Sequence, residues 1–302
     1  MAEKRDTHGA ASPVKVVDQP PSPVGLMVRA ALPALPGVNA LPGVRRTATE
    51  LPDVELVRRS VPVDPSHVAS YASVCGFPAK DTLPLTYLHM LAFPLHMQVM
   101  TDPAFPFPAM GTVHLENAIT RHRQTTARDR YDVSVRPANL RGHVKGRVFD
   151  LLTEVRVDDE LVWEEVSTYL RRGKGDESAG TGTEIPLVDD GGVEWRLGGD
   201  LGRRYAAVSG DRNPIHLYGM TAKAFGFPRQ IAHGMWSKAR SVAAVENRLP
   251  DAVRVEVAFK TPILLPGTVR FSTRRSEDGT IGLGLSNPRN GAPHLAGKAI
   301  AA

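Results

Sequence analysis

The sixteen residues from Tyr205 to Met220, YAAVSGDRNPIHLYGM, bring together three side chains able to handle protons. Asp211, Asn213 and His216 lie within six positions of one another. An imidazole titrates near neutral pH, and a carboxylate beside it can hold a water molecule or stabilise the imidazolium. The spacing indicates a general acid–base site, although ordinary turn residues beside a surface histidine remain the alternative on this segment alone.

A second segment downstream, GFPRQIAHGMWSKARSVAAVENRL, supplies a hydrogen-bond donor for negative charge. The part HGMWSKARSVAAVENRL has the pattern of a long helix, which places Gly234 at the helix N-terminus. The first N–H groups of a helix have no partner within it and lie at the positive end of its dipole. Since glycine lets a carbonyl oxygen approach closely, we expect the N–H of Gly234 to form an oxyanion hole.

Together the two segments resemble the signature of the MaoC-like family, SGDxNPxH followed by GFxxxIxHGM. The matching residues are Ser209, Gly210, Asp211, Asn213, Pro214, His216, Gly226, Phe227, Ile231, His233, Gly234 and Met235. Family members are (R)-specific enoyl-thioester hydratases, which also run in reverse as 3-hydroxyacyl-thioester dehydratases, and they have the hot-dog fold. The stretch Pro84–Thr120 resembles the degenerate first repeat of actinobacterial members that contain two hot-dog units.

The resemblance implies a hydro-lyase acting on trans-2-enoyl and (R)-3-hydroxyacyl thioesters in fatty-acid or related acyl-chain metabolism. Asp211 and His216 would share the proton transfers through a common bound water, so their titrations are coupled. Asn213 would orient the water or the carbonyl, and Gly234 would stabilise the enolate-like oxygen. No metal ion or redox cofactor is expected, and coenzyme A or an acyl carrier protein enters only as part of the thioester substrate.

Other interpretations of these residues fit their spacing less well. A metal site from Asp211, His216 and His233 lacks the usual short spacing between ligands. A nucleophilic Ser209 lacks the glycine pattern of a strand-turn-helix elbow. We interpret His233 as a structural histidine that bonds the loop. Tyr218 stands where many relatives carry an acidic residue or Asn, a departure expected to alter the loop and not the chemistry.

Two rival functions use the same fold. A catalytically inactive subunit that only binds acyl thioesters would need the pocket but not the four residues Asp211, Asn213, His216 and Gly234. A hot-dog thioesterase would release a free acid and a thiol, and a thiol reagent would detect the product.

The motif belongs to a chain that divides into two similar halves. YASVCGF, starting at Tyr71, matches YAAVSGD, starting at Tyr205, with an offset of 134 residues (205 minus 71). We therefore expect two α+β repeats, residues 51–172 and 193–302, joined by a linker at 173–192 that is rich in Gly, Ser, Thr and Asp. Residues 1–50, rich in Pro, Ala, Gly and Val, are expected to form a mobile or surface-draped arm.

Each repeat has the element order of a hot-dog unit. A short helix, a loop and a longer apolar helix precede several strands with alternating polarity, which predicts an antiparallel sheet curled around the long helix. Asp64 followed by Pro65 marks the start of the first short helix. The fold class is therefore α+β, a double hot-dog. Such a chain imitates a dimer of single units internally, so a monomer and a homodimer are equally compatible with it.

The first half has lost the acid–base residues. Phe77 occupies the position equivalent to Asp211, and no NPxH follows it, which predicts one active site per chain. In place of the second half's central helix stands an apolar stretch, residues 83–100, which either shapes a channel for an acyl tail or packs the core. His89 and His96 lie seven positions apart on one face of it, and the sequence assigns them no role.

Composition limits the remaining classes of protein. Of the 302 residues 42% are hydrophobic and 23% are charged, enough for a sizeable core. The single cysteine, Cys75, excludes an internal disulfide and favours a reducing, cytoplasmic location, and no apolar run suits a membrane span or a secretory signal. The net charge of +5 is scattered and lacks interleaved aromatic residues, which argues against nucleic acid and permits attraction to coenzyme A phosphates or an acidic carrier protein.

Overall fold

The computed structural model describes residues 13–19, 22–32, 37–38 and 45–302. In the first half, these residues form β1 (Val14–Val16), α1 (Pro23–Ala31), β2 (Glu55–Val61), α2 (Pro65–Cys75), α3 (His89–Thr101), β3 (Thr112–Arg121), β4 (Tyr131–His143), β5 (Gly146–Val157) and β6 (Glu160–Arg172). The second half forms β7 (Val193–Leu197), α4 (Leu201–Ser209), α5 (Pro214–Leu217), α6 (Gly219–Ala224), α7 (Gly234–Ala243), β8 (Val253–Phe259), β9 (Gly267–Arg275), β10 (Ile281–Ser286) and β11 (Pro293–Ala301).

All the described strands belong to one sheet with the order β1-β2-β4-β5-β6-β3-β8-β11-β10-β9-β7. The run β2-β4-β5-β6-β3 has the same order as the run β7-β9-β10-β11-β8, so the sheet consists of two copies of one five-stranded unit. Strands β3 and β8 join the copies as antiparallel neighbours, with Asn117 opposite Val257. The α+β double hot-dog fold expected from the sequence is confirmed.

Helices α2 and α4 show the same correspondence at the level of single residues. Each ends at a left-handed glycine, Gly76 with φ 77° and Gly210 with φ 74°, a conformation that favours glycine. The two glycines differ by the same 134 positions as the YASVCGF and YAAVSGD motifs (210 minus 76). At the start of α2, the Asp64 side chain accepts a hydrogen bond from the Ser66 N–H, as expected for an N-cap before proline.

The central helices α3 and α7 pack on the sheet and share one main hydrophobic core. Helix α3 contacts β2 and β4, and α7 contacts β10. Trp236 of α7 donates a hydrogen bond from Nε1 to the Val74 carbonyl of α2, which fixes the second central helix against the first repeat. The helix predicted through Leu249 ends earlier, at Ala243, and a 3-10 turn at Glu246–Arg248 follows. None of the described helices is long and apolar enough to cross a membrane.

The described part of residues 1–50 contains a strand and a helix that pack on the first repeat. Strand β1 pairs in parallel with β2, and the buried Leu26 and Ala30 lie on α1, which contacts α3. Ser22 followed by Pro23 is the same start signal that opens α2, and the Ser22 side chain accepts a hydrogen bond from the Gly25 N–H. The rest of this range lies outside the described residues.

The segment 173–192 contains no helix or strand, yet it packs on the second repeat. Ile185 is buried with Ala258 and Ala296 of β8 and β11. A Cβ at Gly284 of β10 would lie within bonding distance of the Val188 carbonyl, so the bare glycine backbone is what lets the segment approach the sheet. The hydroxyl of Ser286 then donates to Asp189.

Candidate active site

Local folding places the acid and the amide of the motif directly after α4. The helix stops at Gly210, and the Asp211 carboxylate accepts a hydrogen bond from the Asn213 N–H at 3.1 Å. Asn213 in turn caps α5 by accepting from the Ile215 N–H at 3.4 Å, and Pro214 occupies the first helical position. These two side-chain turns direct the chain so that His216 falls in the single turn of α5.

His216 is held in one tautomer. The residue is 8% exposed, and Nδ1 lies 2.8 Å from the carbonyl oxygen of Ile231. A carbonyl oxygen only accepts, so Nδ1 carries the proton and Nε2 keeps a free lone pair. Burial lowers the pKa of His216, opposed by the charge of Asp211 and the hydrogen bond to Ile231. The imidazole is therefore a neutral proton acceptor at neutral pH.

Asp211 supplies a carboxylate next to this base. Burial acts to raise the pKa of Asp211, but His233, His216 and the Asn213 N–H outweigh it and the net pKa is lowered. The side chain remains 29% exposed, in contrast to the buried imidazoles, so the pocket opens to solvent at the carboxylate. An ionised acid and a neutral imidazole thus face the same space.

His233 contacts both the His216 ring and the backbone of Asp211. Its ring stacks on His216, with centroids 3.7 Å apart and planes at 26°, and its Nε2 donates to the Asp211 carbonyl at 3.0 Å. The sequence predicted a histidine that bonds the loop, and this hydrogen bond does so; the stacking was not foreseen. Burial and the neighbouring His216 lower the pKa of His233 to about 3, so both stacked rings are neutral.

The three titratable groups also have the composition of a metal site. One ligand atom from each of Asp211, His216 and His233 lies within 4.8 Å of the others, which the sequence spacing did not suggest. Two of the four imidazole nitrogens are already bonded, to the carbonyls of Ile231 and Asp211. The absence of a metal therefore stays a prediction.

Gly234 lies where the sequence places it, at the first position of α7. In the described part of the chain its N–H makes no hydrogen bond to another backbone group. The Ile231 N–H donates to the Ile215 carbonyl, so the glycine segment is attached to the helix of His216. A Cβ on Gly234 would lie 3.3 Å from three atoms of the Phe259 ring, so a side chain here requires the ring to give by a few tenths of an ångström. A free N–H at a helix start is a suitable oxyanion donor.

Comparison with known proteins assigns the family. A family model described as MaoC like domain matches residues 199–283, a range that contains all four residues of the candidate site. The 3-hydroxyacyl-thioester dehydratase X of Mycobacterium tuberculosis is 41% identical over 278 residues, covering 91% of this chain and 96% of that protein. The chain belongs to the MaoC-like dehydratase family.

Solved structures show the same architecture. A crystal structure of HtdX of Mycobacterium tuberculosis has a TM-score of 0.73 and 40% sequence identity, and the match covers 82% of this chain and all (100%) of that one. The MaoC-like dehydratase from Phytophthora capsici reaches a TM-score of 0.69 over 82% of this chain and 95% of that one. At 17% identity the second likeness concerns the fold alone.

The first MaoC-like repeat carries no second acid–base pair at the equivalent place. Phe77 follows the left-handed Gly76 just as Asp211 follows Gly210. The Phe77 ring stacks on Tyr71, with centroids 6.2 Å apart, and is buried. This position has become part of the core, which supports the prediction of one active site per chain.

A buried lysine anchors the helix that begins at Gly234. Lys238, one turn further along α7, is fully buried, and its Nζ donates to the backbone carbonyl of Asn117 at 3.1 Å, to the Asn117 side-chain oxygen, and to the Val255 carbonyl at 3.0 Å. Asn117 and Val255 lie on β3 and β8, the two strands that join the repeats. Helix α7 of this MaoC-like chain is thus fixed to the junction of its two halves.

The hydrogen bonds from Lys238 to Asn117 extend to Glu165 and His89 in the first repeat, and together they form one buried network. Nδ2 of Asn117 donates to Glu165 at 2.5 Å, and the other carboxylate oxygen accepts from Nδ1 of His89 at 2.9 Å. Burial opposes ionisation of Glu165, but the adjacent His89, His96 and Asn117 lower its pKa to about 2. Burial lowers the pKa of Lys238 to about 7, with the Glu165 charge opposing. The carboxylate is therefore ionised, and the Asn117 side chain connects it to Lys238 by bonding to both.

Sequence reasoning did not find this network. Its members are far apart in the chain, and His89 and His96 were given no role. One signal was present, because Lys238 follows Met235 and precedes Val242 at helical spacing, on the apolar face of a helix expected to be buried. A second cluster of potential metal ligands, His89, His96 and Glu165, also lies here, again within 4.8 Å.

Proposed function

We propose that this chain removes water from (R)-3-hydroxyacyl thioesters to give trans-2-enoyl thioesters, and catalyses the reverse hydration. The observation that carries the proposal is the pairing of a solvent-accessible carboxylate, Asp211, with His216, whose Nδ1 proton is held by a carbonyl. The related dehydratase X of Mycobacterium tuberculosis, named for 3-hydroxyacyl thioesters, supports the same reaction class.

The pair suits a reaction that moves one proton from carbon C2 to the oxygen that leaves C3. In dehydration, the C2–H electron pair becomes the new double bond while the C3–O bond breaks and its electrons leave with oxygen. Nε2 of His216 can accept the C2 proton, and the ionised Asp211 stabilises the imidazolium that forms. The same proton then goes to the departing hydroxide, which leaves as water. No proton and no electron is consumed, so the pair returns to its starting state.

Gly234 and Asn213 would bind the thioester oxygen and the water. Removing the C2 proton makes the thioester carbonyl enolate-like, and the free N–H of Gly234 at the positive end of α7 can stabilise that charge. Asn213 uses its Oδ1 for the helix cap, and its Nδ2 makes no hydrogen bond within the described residues. That amide group is available to hold the water or the carbonyl oxygen.

The chemistry assigned to these residues calls for no metal and no redox cofactor. The thioester would arrive on coenzyme A or on an acyl carrier protein, in fatty-acid or related acyl-chain metabolism. A cytoplasmic location is supported by the single cysteine, Cys75, which is free and buried. The two joined repeats already form an internal dimer of hot-dog units, so we propose a monomer or a homodimer.

Hydration of trans-2-octenoyl-CoA tests the proposal directly. The conjugated enoyl-thioester absorbance should fall with the wild type, and Asp211→Asn and His216→Ala should each reduce the rate by several orders of magnitude. The matched controls Asp200→Asn and His122→Ala alter exposed residues and should keep the wild-type rate. A wild type that binds acyl thioesters on both carriers without turnover would support the inactive binding subunit. Release of a free thiol would identify a thioesterase.

A further inference from the structure

Three exposed apolar side chains lie on the segment between His216 and Gly234. Tyr218 is 56% exposed, Met220 on α6 is 85% exposed and Phe225 is 45% exposed. Large apolar side chains clustered at the surface commonly mark an interaction site. Arg203 of α4 joins this cluster, because its guanidinium lies over the Tyr218 ring at 5.3 Å and donates to the Leu217 carbonyl at 3.0 Å.

The surface around these side chains has one sign of charge. Between residues 201 and 245 the only acidic residue is Asp211. The same segment carries five exposed basic residues, Arg203, Arg204, Arg212, Lys223 and Arg229. Within the described part of the chain none of the five forms an ion pair with a carboxylate. Unpaired charges of one sign raise the local concentration of a partner of opposite sign.

The loop that carries most of these side chains is attached at both ends to the segment of His216, the proposed base. The Ile231 N–H donates to the Ile215 carbonyl at 3.0 Å, and the Ile231 carbonyl accepts from His216 at 2.8 Å. The loop between these points, residues 217–230, is therefore closed at the base by the site itself. Arg212, next to the solvent-accessible Asp211, continues the positive charge to the entrance. A partner bound here would deliver a substrate directly to the pair.

We propose that the surface formed by Arg203, Tyr218, Met220, Lys223, Phe225 and Arg229, called the basic apolar surface, docks an acidic acyl carrier protein. The inference rests on the proposed function and selects the carrier. A second copy of this chain is disfavoured because symmetric contact would bring unpaired cations together. Coenzyme A offers only its phosphate groups and one adenine, whereas cations here lie on α4, on α6 and beyond it, around apolar side chains that suit a protein interface.

A charge-reversed variant distinguishes docking of an acyl carrier protein from binding of coenzyme A. Lys223→Glu/Arg229→Glu changes two exposed side chains that make no hydrogen bond to any described residue, so the fold should be kept. We expect kcat/KM for trans-2-octenoyl-acyl carrier protein to fall at least about tenfold at low ionic strength, since rim charges govern association. The value for trans-2-octenoyl-CoA should change far less. Arg128→Glu/Arg130→Glu, an equal charge change on exposed residues between β3 and β4, is the matched control.

The outcomes are distinct. Equal losses with both carriers would overturn the proposal and assign the cations to phosphate groups that the carriers share. Unchanged kinetics with both carriers would also overturn it, as would a change of oligomeric state in Met220→Glu measured by light scattering, which would reveal an interface between copies. If wild type turns over neither carrier, the proposed function itself fails, whereas activity on octenoyl-CoA alone leaves that function standing and removes the docking partner.

Discussion

The imidazole of His233 lies against that of His216 at 3.7 Å between centroids, while its Nε2 holds the backbone of Asp211 at 3.0 Å. One buried side chain thus fixes the ring of the proposed base and the loop of the proposed acid. Because burial lowers the pKa of His233 to about 3, it contributes position and not a proton near neutrality.

Replacing His233 should therefore lower the rate without reshaping its pH dependence. His233→Ala removes the stack and the hydrogen bond, and a misplaced pair costs up to about a hundredfold in kcat. His233→Phe keeps an aromatic ring and should retain more activity. Steady-state rates from pH 5 to 9 test this, and a pH limb that disappears with either variant would show that His233 exchanges protons itself.

The acidic limb of kcat/KM should lie below the ordinary histidine value. His216 acts as a neutral base, and burial lowers its pKa from 6.5, so activity should persist as the pH falls through that value. Asp211 opposes this shift, so in Asp211→Asn the His216 pKa should fall further. Titration of the His216 ring protons by NMR measures both values, and an upward shift in Asp211→Asn would contradict the coupling.

Gly234→Ala should fail because of crowding and not because the N–H is lost. The new methyl group would lie 3.3 Å from the Phe259 ring, so the ring or the start of α7 must shift, although the backbone donor remains. A displacement of reacting groups by about 1 Å can cost about 10²-fold in rate, which sets the upper end of the expected loss. In Gly234→Ala/Phe259→Leu the space is restored and part of kcat should return. No recovery in the double variant would mean that the methyl group blocks the substrate.

Replacing Lys238 should lower both stability and activity, and a second substitution at Glu165 should separate the two effects. Lys238→Met leaves the acceptor oxygens of Asn117 and Val255 unpaired, and each buried unpaired acceptor costs about 1–3 kcal/mol. It also removes the positive charge that acts on Glu165 across Asn117, so adding Glu165→Gln should recover part of the Tm. We expect kcat to stay low in the double variant, because α7 no longer bonds to β3 and β8 through Nζ. A kcat that recovers with Tm would assign Lys238 a purely structural role, and Ser241→Ala on the same helix is the control.

Stability should decline as the solution becomes acidic. Burial lowers the pKa of His96, His114 and His233 from 6.5 to about 3. The unfolded chain takes up protons near 6.5 while the folded chain does not, so stability is full above 6.5 and is lost toward 3, at roughly 1.4 kcal/mol per pH unit for each proton.

His114 offers a test of this loss by urea unfolding at pH 7.5 and pH 5. Its ring stacks on Tyr169 at 4.4 Å, and its buried Nε2 has no partner among the described residues. His114→Phe keeps the stack and removes one proton acceptor, so it should lose less stability than the wild type between the two pH values. An identical loss would show that His114 is protonated in the folded state.

The sequence by itself determined the parts of this protein that are local. The order of helices and strands, the duplicated motif and the cap at Asp64 are set within short stretches, because capping, proline and alternation act over a few residues. The same holds for Asp211, Asn213 and His216, whose turns are closed by bonds two residues apart. Their roles in catalysis remain predictions, as does the division of the chain into domains.

Tertiary structure alone decided what supports these residues. Asn117, Glu165 and Lys238 meet because β3, β6 and α7 pack at the junction of the repeats, and no local pattern encodes such contacts. The tautomer of His216 depends on the Ile231 carbonyl, fifteen positions away in the chain. The packing of residues 173–192 depended on a bare Gly284 in another element. Contacts between distant residues follow from packing, which single-chain periodicity does not record.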